Sequence, residues 1–131
     1  MKYNKKKILE ILNLSLDDLI FKAQKVHRKF FRNTGVQLAS LVSIKTGSCP
    51  EDCKYCPQSA HFNVDIKKEK LMDFSDLKTA AFKAKKNGAD RFCMGAAWKK
   101  LNDGPELDSV LDMIKEVKSL GLEACVTWVP L

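Results

Sequence analysis

The chain has 131 residues, of which 45% are hydrophobic, and this composition predicts a globular protein with one core and excludes a disordered chain. Basic residues outnumber acidic residues 23 to 16, which gives a formal charge of +7. They are scattered along predicted helix faces without interleaved aromatic residues, which favours a solvated surface over a nucleic-acid footprint. No apolar run approaches the ~20 residues of a membrane helix, so we expect a cytoplasmic protein with no membrane partner.

Two helices are predicted at the start of the chain. The first is short and is indicated by the apolar residues Ile8, Leu9, Ile11 and Leu12. Ser15 is a candidate N-cap for a longer second helix, which ends at residues 33–35. The apolar face of this second helix consists of Leu16, Leu19, Ile20, Ala23, Val26 and Phe30. We therefore expect residues 1–35 to form an N-terminal helical extension and residues 36–131 to form the main domain.

Strands alternate with helices through the main domain. The strands are predicted over residues 36–44, 91–97 and 122–129. The two helices between them begin near Ser75 and Pro105 and end near Gly88 and Gly121, where glycine is the residue expected just past a helix end. This order predicts βαβ units, a parallel sheet and an α/β fold, with ligands gathered at the carboxyl ends of the strands.

Three of the five cysteines lie close together in the long polar loop that follows the first predicted strand. Cys49, Cys53 and Cys56 have the spacing C-x3-C-x2-C, which is too crowded for a disulfide framework in a chain of this length. The segment is rich in Lys, Glu, Asp and Pro, so we expect it to be exposed. One such loop can wrap a single metal centre, and three ligands on a cluster of four irons leave one iron open to a non-protein ligand.

A zinc site is the alternative that the spacing leaves open. His61 follows Cys56 by five residues, so the three cysteines and His61 could form a closed, structural Cys3His zinc site. With the charge of +7, this interpretation predicts a non-catalytic zinc- or RNA-binding module. Metal analysis separates the two classes, because one predicts iron with sulfide and the other predicts zinc.

The cysteine loop also resembles a known family. Residues 43–59, Ser-Ile-Lys-Thr-Gly-Ser-Cys-Pro-Glu-Asp-Cys-Lys-Tyr-Cys-Pro-Gln-Ser, are similar nearly letter for letter to the cluster loop of biotin synthases, which are radical S-adenosylmethionine (AdoMet) enzymes. Residues 92–98 and 121–125 resemble two further family blocks in the same order. The resemblance covers residues 36–127 and implies the N-terminal part of such an enzyme. It also implies a partial (βα) TIM-type barrel with about three parallel strands.

The resemblance assigns a cofactor to the cysteine loop. It implies that Cys49, Cys53 and Cys56 bind a 4Fe-4S cluster, whose fourth iron takes the amino and carboxylate groups of AdoMet. It further implies that Tyr55 lies against the adenine of AdoMet.

The resemblance also implies that the remaining two cysteines, Cys93 and Cys125, are ligands of a separate 2Fe-2S cluster that serves as the sulfur source. The predicted strands agree with this, because the two cysteines lie in the arms of one βαβ unit and adjacent strands are about 4.8 Å apart. The competing interpretation is that each is a small, buried apolar residue of its strand, which is the usual role of a lone strand cysteine.

The implied reaction is insertion of sulfur into dethiobiotin to give biotin. The expected partners are dethiobiotin as substrate, a reducing protein such as flavodoxin or ferredoxin, and a second copy of the chain in a homodimer. A complete barrel of eight βα units needs about 250 residues, and residues 128–131 do not resemble the family. We therefore expect a truncated chain that is inactive alone, and a degenerate fragment without activity is a third alternative.

Overall fold

The computed structural model describes residues 4–31 and 35–127. The chain divides into two compact units, Met1–Val36 and Gln37–Leu131. Within the described residues, no helix combines the length and the apolar character that crossing a bilayer requires.

The first unit contains two helices, α1 (Lys5–Leu12) and α2 (Leu16–Phe30), and both predicted helices are confirmed. The predicted N-cap Ser15 accepts a hydrogen bond from the backbone N–H of Asp18 at 3.3 Å, which satisfies one of the free donors of the first helical turn. Helix α2 ends at Phe30, before the predicted end at residues 33–35. Residues 33 and 34 lie outside the described residues. Neither helix contains a buried residue.

The second unit has the predicted alternation of strands and helices. Its elements are β1 (Ala39–Lys45), α3 (Phe74–Lys86), β2 (Arg91–Ala96), α4 (Pro105–Ser119) and β3 (Glu123–Thr127). The three strands form one parallel sheet in the order β1-β2-β3, so the predicted α/β class and parallel pairing are confirmed. Continuation of the sheet into a barrel stays a prediction.

The boundaries of several elements differ from the predictions by a few residues. Strand β1 begins at Ala39 rather than residue 36, because Leu38 already uses its N–H and C=O on Asp90 at the turn before β2. Helix α3 begins at Phe74, next to the predicted cap Ser75, but its N-cap is the extended residue Asp73. Strand β3 begins at Glu123 rather than at residue 122, and the last two residues of the predicted strand, 128 and 129, lie outside the described residues.

One face of the sheet packs against α3 and α4. Side chains alternate across a strand, so every second residue of each strand points at the helices. The buried core includes Ile44, Leu77, Phe92, Met94, Val110, Met113 and Val117. Helices and strands therefore share one apolar layer, whose burial supplies the main favourable free energy of folding.

The opposite face of the sheet is not covered by α3 or α4. Leu41 on β1 is 74% exposed, and it pairs with Cys93, which in turn pairs with Cys125. Two residues before the cysteines, Arg91 on β2 pairs with Glu123 on β3, and both lie on the same face as the cysteines. Below, we call this surface the open face.

Gly88 ends α3 in a left-handed conformation, with φ of +85°. An added Cβ would meet no atom within 4 Å, so Gly88→Ala tests backbone strain alone. We expect it to lower the free energy of unfolding by about 1–2 kcal/mol, since a left-handed residue with a Cβ costs that much. Urea denaturation followed by far-UV circular dichroism measures the change. Gly35→Ala is the matched control, because Gly35 is equally open but not left-handed, and an equal loss there would contradict the prediction.

Candidate metal centre

The cysteine loop leaves the carboxyl end of β1 and folds back on itself. Gly47 and Ser48 both have positive φ, +74° and +54°, and this turns the chain out of the strand. The backbone N–H of Cys49 donates to the carbonyl of Gln58 at 2.9 Å, and the carbonyl of Cys49 accepts from Ala60 at 2.8 Å. The two ends of the cysteine cluster are thus tied together by backbone hydrogen bonds.

Ser59 holds the centre of this loop. It is the buried polar residue among those described, with 5% of its surface exposed. Its hydroxyl donates to the carbonyl of Glu51 at 2.6 Å and accepts from the N–H of His61 at 3.2 Å. One side chain therefore satisfies backbone groups on both arms of the loop.

Ser59→Ala should loosen the loop without changing the sheet. Removing a buried hydroxyl that serves two partners leaves them unsatisfied, at a cost of about 1–3 kcal/mol. We expect faster amide hydrogen exchange in residues 49–61 and unchanged exchange in β2. Ser109→Ala is the control, since the Ser109 hydroxyl makes an exposed hydrogen bond within α4. Equal protection of residues 49–61 in the parent chain and in the Ser59 variant would contradict the assignment.

The three loop thiols differ in exposure. Cys49 is buried, whereas Cys53 and Cys56 are partly exposed. The expectation of an exposed segment is therefore wrong for Cys49, because the hydrogen bonds of its backbone to residues 58 and 60 draw it under the loop. All three are free thiols.

The donor set fits a thiolate-bound metal group, although the side chains are not gathered. Three free thiols on one loop with tied ends are donors that iron–sulfur clusters and zinc both accept. In residues 4–31 and 35–127, however, no three His, Cys, Asp or Glu side chains are grouped as metal ligands. Bringing the thiols of Cys49, Cys53 and Cys56 together requires a rearrangement within the loop.

Tyr55 and His61 lie on the outside of the loop. Tyr55 is 91% exposed, so its ring is free to contact a ligand, and its predicted place against adenine stays a prediction. The His61 ring nitrogen Nε2 lies 3.1 Å from the carbonyl oxygen of Pro50. This contact engages the histidine with the backbone rather than with the thiols.

Cys93 and Cys125 face each other directly in the register of β2 and β3. The predicted neighbouring position is therefore confirmed, and both are free, partly buried thiols. Burial raises the pKa of the Cys93 thiol, and a hydrogen bond to Cys125 raises it further. The two thiols thus occupy neighbouring register positions on the open face.

The loop and the thiol pair lie at different heights along the strands. Strand β2 ends at Ala96, three residues after Cys93, and a strand rises about 3.3 Å per residue. The thiol pair is therefore roughly 10 Å below the carboxyl edge from which the loop departs. Between the two heights, β2 presents Gly95, whose neighbours across the sheet are Ser43 and Thr127.

An ion pair on the open face was not predicted from the sequence. Arg91 Nη2 donates to Glu123 Oε1 at 2.7 Å, and Gln37 Nε2 donates to Glu123 Oε2 at 2.7 Å. These hydrogen bonds lower the pKa of Glu123, with the larger effect from Arg91. The signal in the sequence is that a basic and an acidic residue each precede a strand cysteine by two positions, which places them on the same face.

Fold and site together define an α/β protein with a parallel sheet, a cysteine loop at its carboxyl edge and a thiol pair on its open face. No family model matches the chain. It is similar to proteins named biotin synthase: 56% identical over 117 residues to that of Myxococcus xanthus, covering 89% of this chain and 34% of the relative. The relative from Zymomonas mobilis is 56% identical over 119 residues, covering 91% and 36%. That from Cytophaga hutchinsonii is 47% identical over 125 residues, covering 95% and 37%.

The predicted resemblance to biotin synthases is thereby confirmed. The chain spans about a third of the length of these curated relatives.

Proposed function

We propose that this chain contributes the AdoMet-binding cluster loop and a sulfur-donor site to a biotin synthase reaction, the insertion of sulfur into dethiobiotin. The observation that carries the proposal is identity of 47–56% to proteins named biotin synthase over about nine-tenths of the chain. The position of the cysteine loop supports it, since ligands of parallel α/β sheets gather at the carboxyl edge.

In this proposal Cys49, Cys53 and Cys56 hold a 4Fe-4S cluster. The chemistry that such a group supplies is reductive cleavage of AdoMet to methionine and a 5′-deoxyadenosyl radical that abstracts hydrogen from dethiobiotin. The chain itself provides three thiolates, keeps their loop closed through Ser59, and offers the exposed ring of Tyr55 to the adenine. Three local ligands leave one iron for the amino acid group of AdoMet.

The proposal places a 2Fe-2S cluster, the sulfur source, at Cys93 and Cys125. Their direct pairing across β2 and β3 supports this, because two cysteines at neighbouring register positions can share one small cluster. Their position roughly 10 Å below the carboxyl edge leaves room for a small substrate between the two groups. Removal of water from such a space strengthens the polar interactions that orient a substrate.

The wider assignments remain part of the same proposal. They are a helical extension over residues 1–35, a partial radical AdoMet barrel over residues 36–131, a reducing partner such as flavodoxin or ferredoxin, a homodimer, and a cytoplasmic location. The zinc- or RNA-binding alternative is not favoured, since the relatives are named biotin synthases.

Anaerobic reconstitution with iron and sulfide tests the proposal. After reduction, we expect an electron paramagnetic resonance signal that changes when AdoMet is added, because its amino and carboxylate groups bind the open iron. ATP is the control, since it carries adenine without an amino acid group. A colourless, air-stable protein that binds one zinc and no iron would contradict the proposal.

A further inference from the structure

Arg91 carries a buried hydrogen-bond donor without a partner. Among the buried side-chain nitrogen and oxygen atoms in the described part of the chain, Arg91 Nε is the only one that makes no hydrogen bond. Burying a donor without an acceptor destabilises a protein, so each such group in a native structure needs an explanation. At the other end of the same guanidinium, Nη2 lies 2.7 Å from Glu123 Oε1.

The guanidinium is fixed in place by a short hydrogen-bonded chain. Glu123 binds Arg91 through one carboxylate oxygen and Gln37 through the other, so the carboxylate is held from two sides. Arg91 and Glu123 are also register partners on β2 and β3. Strand register and the hydrogen bond to Glu123 therefore orient the guanidinium on the open face.

The two thiols are the neighbouring groups that can become acceptors. Cys93 and Cys125 follow Arg91 and Glu123 by two residues on the same face. The pKa of Arg91 is raised mainly by its hydrogen bond to Glu123 and by the charge of Glu123, with smaller contributions from the charges of Cys125 and Cys93. A thiol is a weak acceptor, whereas thiolate and sulfide are anionic acceptors that form stronger, charge-assisted hydrogen bonds.

We propose that Arg91 is a positioning residue of the two-thiol site. Its guanidinium, oriented by Glu123 and Gln37, donates a hydrogen bond from Nε to a sulfur atom of the iron–sulfur group held by Cys93 and Cys125. The inference rests on the proposed function, because it needs an anionic sulfur group at that pair. A cation beside such a group stabilises its reduced, more negative state, since hydrogen bonds to sulfur and local charge set cluster potentials.

The test measures a midpoint potential. The Cys49, Cys53 and Cys56→Ala chain isolates the pair, and it is reconstituted with iron, sulfide and dithiothreitol, whose thiols fill the remaining coordination positions. Arg91→Met should lower the reduced-to-oxidised ratio at a fixed potential about tenfold, which is a shift of about 59 mV for a one-electron couple. Glu123→Gln should raise that ratio, because it removes a negative charge while the amide oxygen at the same place can still accept the hydrogen bond from Arg91 Nη2.

Three controls separate positioning from a structural role. Arg91→Lys keeps a cation without the planar guanidinium and should fall between parent and Arg91→Met. Lys115→Met removes the same charge from an ion pair on α4, at the opposite face of the sheet, and should leave the midpoint unchanged. Far-UV circular dichroism establishes that each variant is folded.

Each outcome decides a different statement. Opposite shifts in Arg91→Met and Glu123→Gln support the inference, because loss of structure alone would move both in one direction. Equal midpoint potentials in the parent chain and Arg91→Met, or shifts of the same sign in both variants, overturn the inference about Arg91. Neither outcome contradicts the proposed two-thiol site itself. Iron uptake no greater than that of a chain also lacking Cys93 and Cys125 removes the two-thiol site from the proposed function, and the inference with it.

Discussion

Replacing Cys49, Cys53 and Cys56 together by alanine is expected to abolish iron and sulfide binding at the loop. A 4Fe-4S cluster is held by cysteine thiolates, and the loop offers these three. Iron content after anaerobic reconstitution and desalting should fall from about six irons per chain to at most the about two of a 2Fe-2S group. Chemical iron and sulfide analysis, together with the visible absorption spectrum, measures the change.

The matched control for this experiment is the double variant Cys93→Ser, Cys125→Ser. It removes thiols at the open face and leaves the loop intact, so it should retain about four irons per chain. Iron content that is unchanged by the three alanine substitutions would remove the loop as the ligand set. The control also shows whether the two groups of thiols load independently.

Phe92→Ala is expected to remove a large part of the net stability of the second unit. Phe92 is 1% exposed and lies in the core cluster between the sheet and the helices. A Phe→Ala change at such a position costs about 3–5 kcal/mol, through lost transfer free energy and the cavity that remains. Small domains have only about 5–15 kcal/mol of net stability. Chemical denaturation followed by tryptophan fluorescence measures the loss.

Phe82→Ala is the control, because it makes the same substitution at an exposed position. Phe82 lies on α3 and is 60% exposed, so its removal should change the free energy of unfolding by no more than about 0.5 kcal/mol. Similar losses in the two variants would show that the apolar layer between sheet and helices is not where the stability originates.

The order of elements in the second unit could be predicted because each carries a local signal. Periodic apolar residues indicated α3 and α4, and Gly88 and Gly121 marked their ends. The pairing of Cys93 with Cys125 followed from their similar positions in adjacent parallel strands. The start of β1 could not be predicted in the same way, since it depends on hydrogen bonds between Leu38 and Asp90, which are distant in sequence.

The candidate site was predicted in its thiols but not in their surroundings. Cysteine spacing is a local property, so the ligand candidates were visible in the sequence. The burial of Cys49 and the role of Ser59 depend on how the loop folds back, and the contact between Arg91 and Glu123 depends on strand register. These features depend on contacts between residues that are distant in sequence, so the local patterns of a single sequence do not indicate them.

Gly95 is a position without a side chain on the open face, between the loop and the thiol pair. A Cβ built there would lie 3.9 Å from the carbonyl oxygen of Val42 and 4.0 Å from the side chain of Leu41, which is ordinary van der Waals contact. The fold therefore has no steric need for glycine at this position. Gly95→Ala would add one methyl group that obstructs only a molecule bound against the strand at this position. Its effect on binding would therefore measure how closely that molecule approaches the backbone of β2.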